Sequence, residues 1–467
     1  MSGGPSIADR APTRREPRRR VLQFGSGLLL RGLIDPILAE TAGSGAVTIV
    51  QSTGRARADR LNGQRGLYTL LTRGRAGGER VDEARVIDVA AAAVSAADDW
   101  RAVLDAVRRT PPEVIVSNTT EAGLQLDDAD AGLGDADHPP RSFPAKLTAV
   151  LRELHAGRPA EPPVVLPCEL IEDAGQKLRG LCVESARRAS AGAGFVGWLE
   201  RRVAFCSTLV DRICTAPADP DAERARLGYA DDMLTVAEPF AMWAIEQTGP
   251  AADALAWLGR HPSVTITPHL QPVRDRKVRI LNGSHTAIVP LALLAGFETV
   301  RETVEDARFA GLLTRLLDEE IVPHVRAEGA GDFASAVLDR FANPFIRHEL
   351  RDITAQHTAK VGARLAPTIA DHLAATGEAP RRVCLGLAAF LELCSKAPER
   401  VRDDRAAWVA RLVRDGPTAR DAARAYLRHA APTLEGAAVD AAADRIGEGL
   451  ARLRADGPAA AAHACSA

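Results

Sequence analysis

Short apolar strands alternate with helix-length segments over the first half of the chain, and this alternation limits the fold more than any other feature. The strand candidates cover 21–24, 46–50, 85–89, 114–117 and 164–166, and a helical stretch at 98–109 separates two of them. Strands that recur after intervening helices pair in parallel, with helices on both faces of the sheet. The sequence therefore predicts an α/β domain that binds its ligands at the carboxyl ends of the strands.

The pattern changes after about residue 235. Strand candidates become rare there, and segments such as 309–322, 334–341 and 382–393 have the periodicity of helices. Because 467 residues are too many for one ordinary core, we expect two domains. The predicted organisation is a disordered basic arm at 1–19, a sheet domain at 20–235, a mostly α-helical domain at 236–455 and a disordered tail at 456–467.

Composition and charge argue against several classes of protein. The net charge of −2 and the aromatic content of 4% give no support for nucleic-acid binding. No apolar run is long enough to cross a bilayer, and the arginines near the start precede no apolar signal segment. Seven cysteines without a CxxC pair or zinc-ligand spacing favour reduced thiols in a cytoplasmic protein and indicate no metal site. We therefore expect a small-molecule partner, and the oligomeric state stays open.

A glycine turn follows the first strand. Gly25-Ser-Gly27 precedes a helical segment, the position at which backbone N–H groups and the helix dipole receive a pyrophosphate. Leu30 stands where the dinucleotide fingerprint has its third glycine, so a simple strand-to-helix turn explains the two glycines as well. The turn is compatible with a dinucleotide but does not prove one.

The second strand lacks the acidic residue that usually reads the ribose of NAD. It ends in Gln51 and Ser52, and Arg55 and Arg57 follow. An arginine at this place can accept the 2′-phosphate of NADP, although both arginines can equally be solvated loop residues. The residues at this strand end therefore leave the choice between NAD and NADP open.

The chain carries an unusual polar motif ahead of an apolar run at 286–295. It reads Lys277-Val-Arg-Ile-Leu-Asn282-Gly-Ser-His285. On an α-helical wheel of about 100° per residue, Lys277, His285 and Asn282 fall at roughly 0°, 80° and 140°. One face can then present a proton acceptor and two hydrogen-bond donors, a set suited to chemistry at a hydroxyl or a carbonyl. Basic residues that begin a helix are also typical of a solvated face, so the motif by itself leaves both interpretations open.

Eight motifs between residues 21 and 350 give the chain a resemblance to a known family. They are Leu22-Gln-Phe-Gly25-Ser-Gly27 with Leu30-Arg31-Gly32, Gly66-Leu-Tyr-Thr69, Ser117-Asn118-Thr-Thr-Glu121-Ala-Gly123, Ser142-Phe-Pro-Ala-Lys146-Leu-Thr148, Pro167-Cys168-Glu169-Leu170, Cys206-Ser-Thr-Leu-Val210-Asp211-Arg212-Ile213, Lys277 to His285, and Arg340-Phe-Ala-Asn343-Pro-Phe-Ile346-Arg-His348. In this order they resemble the mannitol dehydrogenase family of polyol-specific long-chain dehydrogenases, and within it the tagaturonate reductases. The resemblance implies a Rossmann-like domain at 20–235, a mostly helical catalytic domain, and metal-independent oxidoreduction of a keto sugar or sugar acid.

The resemblance also implies roles for single residues. In the family's K-x4-N-x2-H pattern, Lys277 acts as the general acid/base, Asn282 holds the reacting oxygen, and His285 lies beside them. The residues expected to bind the cofactor are Phe24, Gly25, Gly27, Arg31, Gln51, Ser52, Asn118 and Glu121. Those expected to bind the substrate are Glu169, Asp211, Arg340 and His348, and the Arg340 guanidinium is suited to pairing with a carboxylate.

The expected reaction is the NAD-dependent reduction of D-tagaturonate to D-altronate. NAD is the expected cofactor, and NADP is not excluded. One alternative keeps this mechanism and changes the substrate to fructuronate and mannonate, or to a neutral polyol such as mannitol. The other is a nucleotide-binding protein without catalysis. A cation within reach of the substrate carboxylate would separate acids from polyols, and the sequence does not show one.

Overall fold

The computed structural model describes residues 5–10, 17–130, 132–135, 137–157, 161–247 and 251–466. The chain divides into two compact units, which we call the sheet unit (1–73 with 81–270) and the helical unit (74–80 with 271–467). Within the described ranges, no helix combines the length and the apolar character that crossing a membrane requires.

Over its described residues, the sheet unit holds the strands and eight α-helices. The strands are β1 (Val21–Phe24), β2 (Val47–Gln51), β3 (Tyr68–Ala76), β4 (Glu79–Ile87), β5 (Ala90–Ser95), β6 (Val114–Ser117), β7 (Val164–Pro167), β8 (Ala204–Phe205), β9 (Thr208–Asp211), β10 (Cys214–Thr215), β11 (Thr235–Ala237), β12 (Met242–Glu246) and β13 (Val264–Thr267). The helices are α1 (Asp35–Thr41), α2 (Ala56–Gly63), α3 (Trp100–Arg109), α4 (Phe143–Gly157), α5 (Ala174–Arg188), α6 (Ala193–Arg201), α7 (Pro220–Leu227) and α8 (Ala251–Leu255). The turn between β3 and β4 is counted with the helical unit.

A six-stranded sheet in the order β5-β2-β1-β6-β7-β8 forms the centre of the sheet unit, and its strands pair in parallel. Val21 belongs to a core that includes Leu33, whereas its neighbour Leu22 belongs to a second core that includes Leu147. Because successive side chains of a strand point to opposite faces, each short strand contributes to both cores. Burial on both faces explains the continuous apolar runs in the sequence. The predicted α/β class is confirmed.

Two smaller sheets complete this unit, in the orders β10-β11-β3-β4 and β13-β12-β9. Strands β11, β12 and β13 follow residue 235, where the sequence predicted helices, and the sheet unit continues to Leu270. The predicted boundary at 235 is corrected accordingly. These strands contain three to five residues, and periodicity does not separate so short an apolar run from part of a helix.

The helical unit is built around one buried helix. Its α-helices are α9 (Gln271–Arg276), α10 (Ser284–Leu294), α11 (Val300–Glu305), α12 (Ala307–Arg315), α13 (Ala330–Phe341), α14 (Leu350–Ile353), α15 (His357–Arg364), α16 (Ala366–Thr376), α17 (Arg381–Lys396), α18 (Ala406–Asp415), α19 (Ala419–Ala430), α20 (Ala437–Asp456) and α21 (Pro458–Ser466). Helix α17 is buried from Val383 to Cys394 and packs against α10, α18 and α20. The predicted helical character of this part of the chain is confirmed.

Both predicted disordered ends contain ordered, packed residues. Helix α21 buries Cys465, and Arg315 and Arg382 donate hydrogen bonds to the carbonyls of Ser466 and Cys465, each at 2.8 Å. Alanine is a strong helix former, so this alanine-rich segment forms a helix where the sequence predicted a tail. In the arm, Ile7 is fully buried and its N–H donates to the Ala230 carbonyl at 3.0 Å. Residues 1–4 and 11–16 of the arm lie outside the described residues.

Candidate functional site

The glycine turn after β1 is shaped by one glycine and leads into an unusual helical turn. Gly25 has a φ of +107°, and a Cβ built on it would lie 3.1 Å from Leu30 and 3.4 Å from the Asn118 carbonyl. A side chain at this position would therefore be strained. Nothing lies within 4 Å of a Cβ built on Gly27. The chain continues as a π-helical turn, Leu30–Ile34, before α1 begins at Asp35.

Arg31 lies under this turn and braces it. Its Nε donates to the Thr235 hydroxyl at 3.0 Å, and its guanidinium also donates to the Ser26 carbonyl. The Tyr68 hydroxyl donates to the Arg31 carbonyl at 2.8 Å. Burial lowers the pKa of Arg31 and raises the pKa of Asp35, one helical turn away, to about 7. Arg31, which the sequence assigned to the cofactor, thus reaches the glycine turn through the Ser26 backbone.

A cavity of about 640 Å³ opens at the carboxyl ends of β1, β2 and β6. Of the residues predicted to bind a cofactor, Phe24, Gly25, Gly27, Gln51, Ser52 and Asn118 line it, and Arg31 does not. Glu121 begins a 3-10 turn, Glu121–Gly123, and its side chain lies outside the described residues. The structure thus brings six of the eight predicted residues together around one cavity.

Lys146 also lines this cavity, although no role was predicted for it. It is a buried lysine on α4 whose Nζ donates to the carbonyls of Ser52 at 3.1 Å and Arg141 at 2.9 Å. Burial lowers its pKa, against the attraction of Asp130. The available signal was a lysine within the otherwise apolar first turns of a helix, 143–151. Such a lysine needs a buried partner, and here the partners are carbonyls at the rim of the cavity.

The segment that follows β2 presents a cation, Arg57, to the same cavity. Gln51 uses its side-chain oxygen to accept the Ala58 N–H at 2.7 Å and its amide nitrogen to donate to the Thr53 carbonyl at 2.8 Å. Arg55 pairs with Asp59 in the exposed first turns of α2, whereas Arg57 lines the cavity. The Ser52 hydroxyl is buried without a hydrogen-bond partner among the described residues.

These features fit a dinucleotide. Open space above Gly27 lets a phosphate approach the backbone, while the unsatisfied Ser52 hydroxyl and the Arg57 guanidinium are donors for the polar end of such a ligand. The residues that would hold it are those that line the cavity.

Asn118 connects this cavity to a second one of about 400 Å³. Its side chain donates to the Cys168 carbonyl at 2.7 Å, and the second cavity is also lined by Leu29, Leu170, Arg212 and Cys214. Arg212 donates to two backbone carbonyls, those of Glu238 at 2.8 Å and Gly32 at 2.7 Å. The guanidinium is therefore held in place by the backbone of the sheet unit.

The two predicted substrate residues of the sheet unit lie at strand ends and are buried. The Glu169 carboxylate accepts the Thr119 N–H at 2.8 Å and the Ser117 hydroxyl at 3.2 Å, and burial raises its pKa. Asp211 ends β9 and stands opposite Met242 in the register. Glu169 therefore fixes the loop after β6 as well as occupying its predicted position.

The Lys277 motif adopts a π-helical turn, Lys277–Gly283, where the sequence predicted an α-helix. A π-helix is closed by bonds between residues i and i+5, and five residues is the spacing of Lys277 and Asn282. The two side chains are thus brought onto one side of the turn, whereas an α-helix would separate them by about 140°. Such turns are frequent at functional sites. The chain returns to α-helical geometry directly after the turn, in α10.

The ring of His285, on α10, contacts two other rings, those of Phe341 and His348. Its ring stacks on Phe341 at 4.0 Å between centroids and meets His348 edge-on at 5.2 Å. Its Nε2 is buried without a hydrogen-bond partner among the described residues. Burial, and after it the charges of His348, Arg340, Arg364 and Lys360, holds the pKa of His285 well below its ordinary value. The structure thus brings His285, His348 and Arg340 into one electrostatic cluster.

Helix α15, for which the sequence predicted no role, contacts this cluster through Thr286. His357 at its start is paired through Nε2 with the Thr286 carbonyl at 3.0 Å, and Arg364 at its end donates to the Thr286 hydroxyl at 3.2 Å. A Cβ on Gly283 would lie 3.0 Å from the Arg364 carbonyl, so a larger residue here would require this carbonyl to move by a few tenths of an ångström. In the sequence, Lys360 and Arg364 could have indicated this basic helix face, because residues four apart share one face of a helix.

The chain matches two domains of one protein family, in order along the sequence. The family domain described as "Mannitol dehydrogenase Rossmann domain" matches residues 19–259, and the "Mannitol dehydrogenase C-terminal domain" matches residues 269–407. An altronate oxidoreductase from Bacillus subtilis (strain 168) is 37% identical over 381 residues, which are 80% of this chain and 79% of the relative. One from Klebsiella pneumoniae (strain 342) is 37% identical over 409 residues, 84% of each chain.

Two solved structures share the fold. A substrate-free D-sorbitol dehydrogenase has a TM-score of 0.75 at 19% identity, covering 98% of this chain and 97% of the other. A Pseudomonas fluorescens mannitol 2-dehydrogenase, solved in a ternary complex with NAD and D-mannitol, has a TM-score of 0.61 at 23% identity, covering 96% and 94%. With both family domains matched in order, the chain belongs to the mannitol dehydrogenase family and is an oxidoreductase that acts on CH–OH groups.

Proposed function

We propose that this chain interconverts D-tagaturonate and D-altronate with NAD(H) as the cofactor. The observation that carries the proposal is the 37% identity to altronate oxidoreductases over 80% of the chain. The K-x4-N-x2-H pattern at Lys277, Asn282 and His285 supports catalysis rather than nucleotide binding alone. All seven cysteines are free, which suits the cytoplasmic location expected from the sequence.

Lys277 is the proposed general acid/base. Reduction of a ketone builds negative charge on its oxygen, so the site needs a proton source and a donor that does not titrate. Asn282 lies one π-turn from Lys277 and supplies an amide N–H for that oxygen. Because the pKa of His285 is lowered, its ring is neutral at neutral pH and offers Nε2 to a substrate hydroxyl without adding charge.

The cofactor is assigned to the cavity at the glycine turn. Bound there, NADH supplies the hydride. Phe24, Gly25, Gly27, Gln51, Ser52 and Asn118 are proposed to contact it, and Arg31 to position the turn through the Ser26 carbonyl. Residues 51–57 contain no carboxylate, and Arg57 lines the cavity, so the test includes NADPH beside NADH.

Four charged or polar residues are assigned to the substrate. Glu169 and Asp211 are proposed to accept hydrogen bonds from the hydroxyls of the sugar. The raised pKa of Glu169 lessens its repulsion of an acidic substrate. Arg340 and His348 belong to the cluster around His285 and are proposed to contact the far end of the sugar.

The test is a parallel assay of the purified protein with tagaturonate, fructuronate and fructose, each with NADH and with NADPH. We expect tagaturonate with NADH to be reduced at the highest kcat/KM. Preference for fructuronate or fructose would move the substrate assignment and keep the roles of Lys277 and Asn282. Absence of turnover with every pair, from a protein that binds NADH, would favour a nucleotide-binding protein without catalysis.

A further inference from the structure

Arg364 is a partly buried cation whose guanidinium makes one hydrogen bond within the described part of the chain. Its guanidinium donates to the Thr286 hydroxyl at 3.2 Å, and no carboxylate pairs with it among the described residues of the helical unit. A guanidinium has five N–H donors, so most of its capacity is unused. Withdrawing such a group from water without an opposite charge is costly. Its pKa is lowered by burial, with no attraction from an acid to offset this.

The place of Arg364 is fixed relative to the Lys277 motif. Both ends of α15 are tied to Thr286, the residue after His285, through His357 and through Arg364 itself. The α15 backbone lies close to Gly283, inside the motif, because a Cβ built there would meet the Arg364 carbonyl at 3.0 Å. Two side-chain bonds and one backbone contact therefore hold the guanidinium beside the proposed reacting residues.

The surroundings of Arg364 are basic. His348, Arg340, Arg364 and Lys360 all lower the pKa of His285, whereas Asp352 raises the pKa of His348 and Asp403 raises the pKa of Lys360. The nearby Asp403 carboxylate accepts the N–H groups of Thr358 and Arg405, which occupies both of its oxygens. A ligand that completes this cluster should therefore carry negative charge.

We propose that Arg364 binds the carboxylate of a sugar acid and so selects acids over neutral polyols. The planar guanidinium matches a carboxylate with two parallel hydrogen bonds, which gives geometric selection as well as charge. The end of α15 favours a cation, because a helix C-terminus carries partial negative charge. This proposal rests on the proposed function for the position of the reacting carbinol beside His285, and it names a substrate contact other than the Arg340 expected from the sequence.

Binding of D-altronate to the protein loaded with NADH tests the proposal, because both compounds are in the reduced form and no hydride can pass between them. We expect Arg364→Gln to weaken altronate binding on the order of 30-fold, the effect of losing a charged hydrogen bond. Arg364→Lys should recover part of the loss. Arg428→Gln, at an exposed position of α19, is the matched control and should bind as the wild type does. NADH affinity and Tm, measured on each variant, separate loss of a contact from loss of folding.

Neutral polyols provide the second arm of the test. Arg364→Gln should leave kcat/KM for D-mannitol or altritol unchanged, so that only the preference for acids falls. Equal losses for acids and polyols, or a selective loss in Arg340→Gln with none in Arg364→Gln, would overturn the proposal. So would a wild type that binds no sugar acid. If the wild type binds altronate through Arg364 but does not oxidise it with NAD, the proposed function fails and the assignment of Arg364 stands.

Discussion

Two cations of the sheet unit, Lys146 and Arg212, are stabilised differently from Arg364 of the helical unit. Lys146 and Arg212 each donate to two backbone carbonyls of the sheet unit. Arg364, in the helical unit, has a single hydroxyl partner. Backbone carbonyls hold a cation at a fixed place whether or not a ligand is bound, whereas an unpaired cation gains most when an anion arrives. The sheet unit is thus preformed for its ligand, and the cluster around His285 is completed by one.

Lys277→Met tests whether chemistry resides in the helical unit and cofactor affinity in the sheet unit. We expect kcat to fall by roughly 10²- to 10⁴-fold, because the proposed proton donor is lost, while the Kd for NADH stays unchanged. Rapid-mixing kinetics and NADH fluorescence titration measure the two quantities. Lys177→Met, on an exposed face of α5, is the control. A variant with near wild-type kcat would remove Lys277 from the mechanism.

Substitution of two glycines in the turn after β1 tests the shape of the preformed cavity. Gly25→Ala should lower the free energy of unfolding by roughly 1–2 kcal/mol, because its φ of +107° disfavours a side chain. Gly27→Ala should leave the free energy of unfolding within about 0.5 kcal/mol, since its Cβ meets nothing within 4 Å, and should weaken NADH binding by entering the cavity. Urea denaturation and NADH titration of both variants check this. Equal destabilisation by the two changes would show that the turn is not shaped as described.

The two units should also differ in the pH dependence of their stability. The pKa of Asp35 is raised from 3.8 to about 7 by burial, so between these values the folded state holds a proton that the unfolded state has lost. Stability from Asp35 therefore falls as pH rises from about 4 to 7. The pKa of His357 is lowered from 6.5 to about 4, again by burial, so its contribution rises with pH over nearly the same window.

Asp35→Asn and His357→Gln should consequently change the slope of stability against pH in opposite directions. Each slope should change by at most ~1.4 kcal/mol per pH unit, the value for one proton. Urea denaturation at pH 5 and about pH 7, with the wild type in parallel, measures both. Slopes that change in the same direction would mean that one of the two groups is not buried as described.

Much of the sheet unit follows from local sequence. The predicted strands at 21–24 and 114–117 coincide with β1 and β6, and the glycine turn lies at the cavity as expected. These features depend on residues close together in the chain, because a continuous apolar run and a positive φ are local properties. The helical class of the second unit was predicted, but the last strands of the sheet unit were not: β11 to β13 are too short for periodicity to identify them.

The candidate site was predicted only in part. The spacing of Lys277, Asn282 and His285 pointed to a functional motif, but the α-helical wheel gave the wrong geometry, because a π-turn depends on packing as well as on local preference. Lys146 and Arg364 were missed as functional residues. Each takes its meaning from partners far along the chain, which a single sequence does not locate.

The sequence by itself determined the α/β class, the position of the glycine turn and the order of polar residues in the Lys277 motif. The tertiary structure decided which charges are neutralised. Arg31 meets Thr235 across 204 residues, and Arg364 meets Thr286 across 78. Local patterns set the periodicity of burial, but the energy of a buried charge depends on whichever groups the folded chain brings beside it.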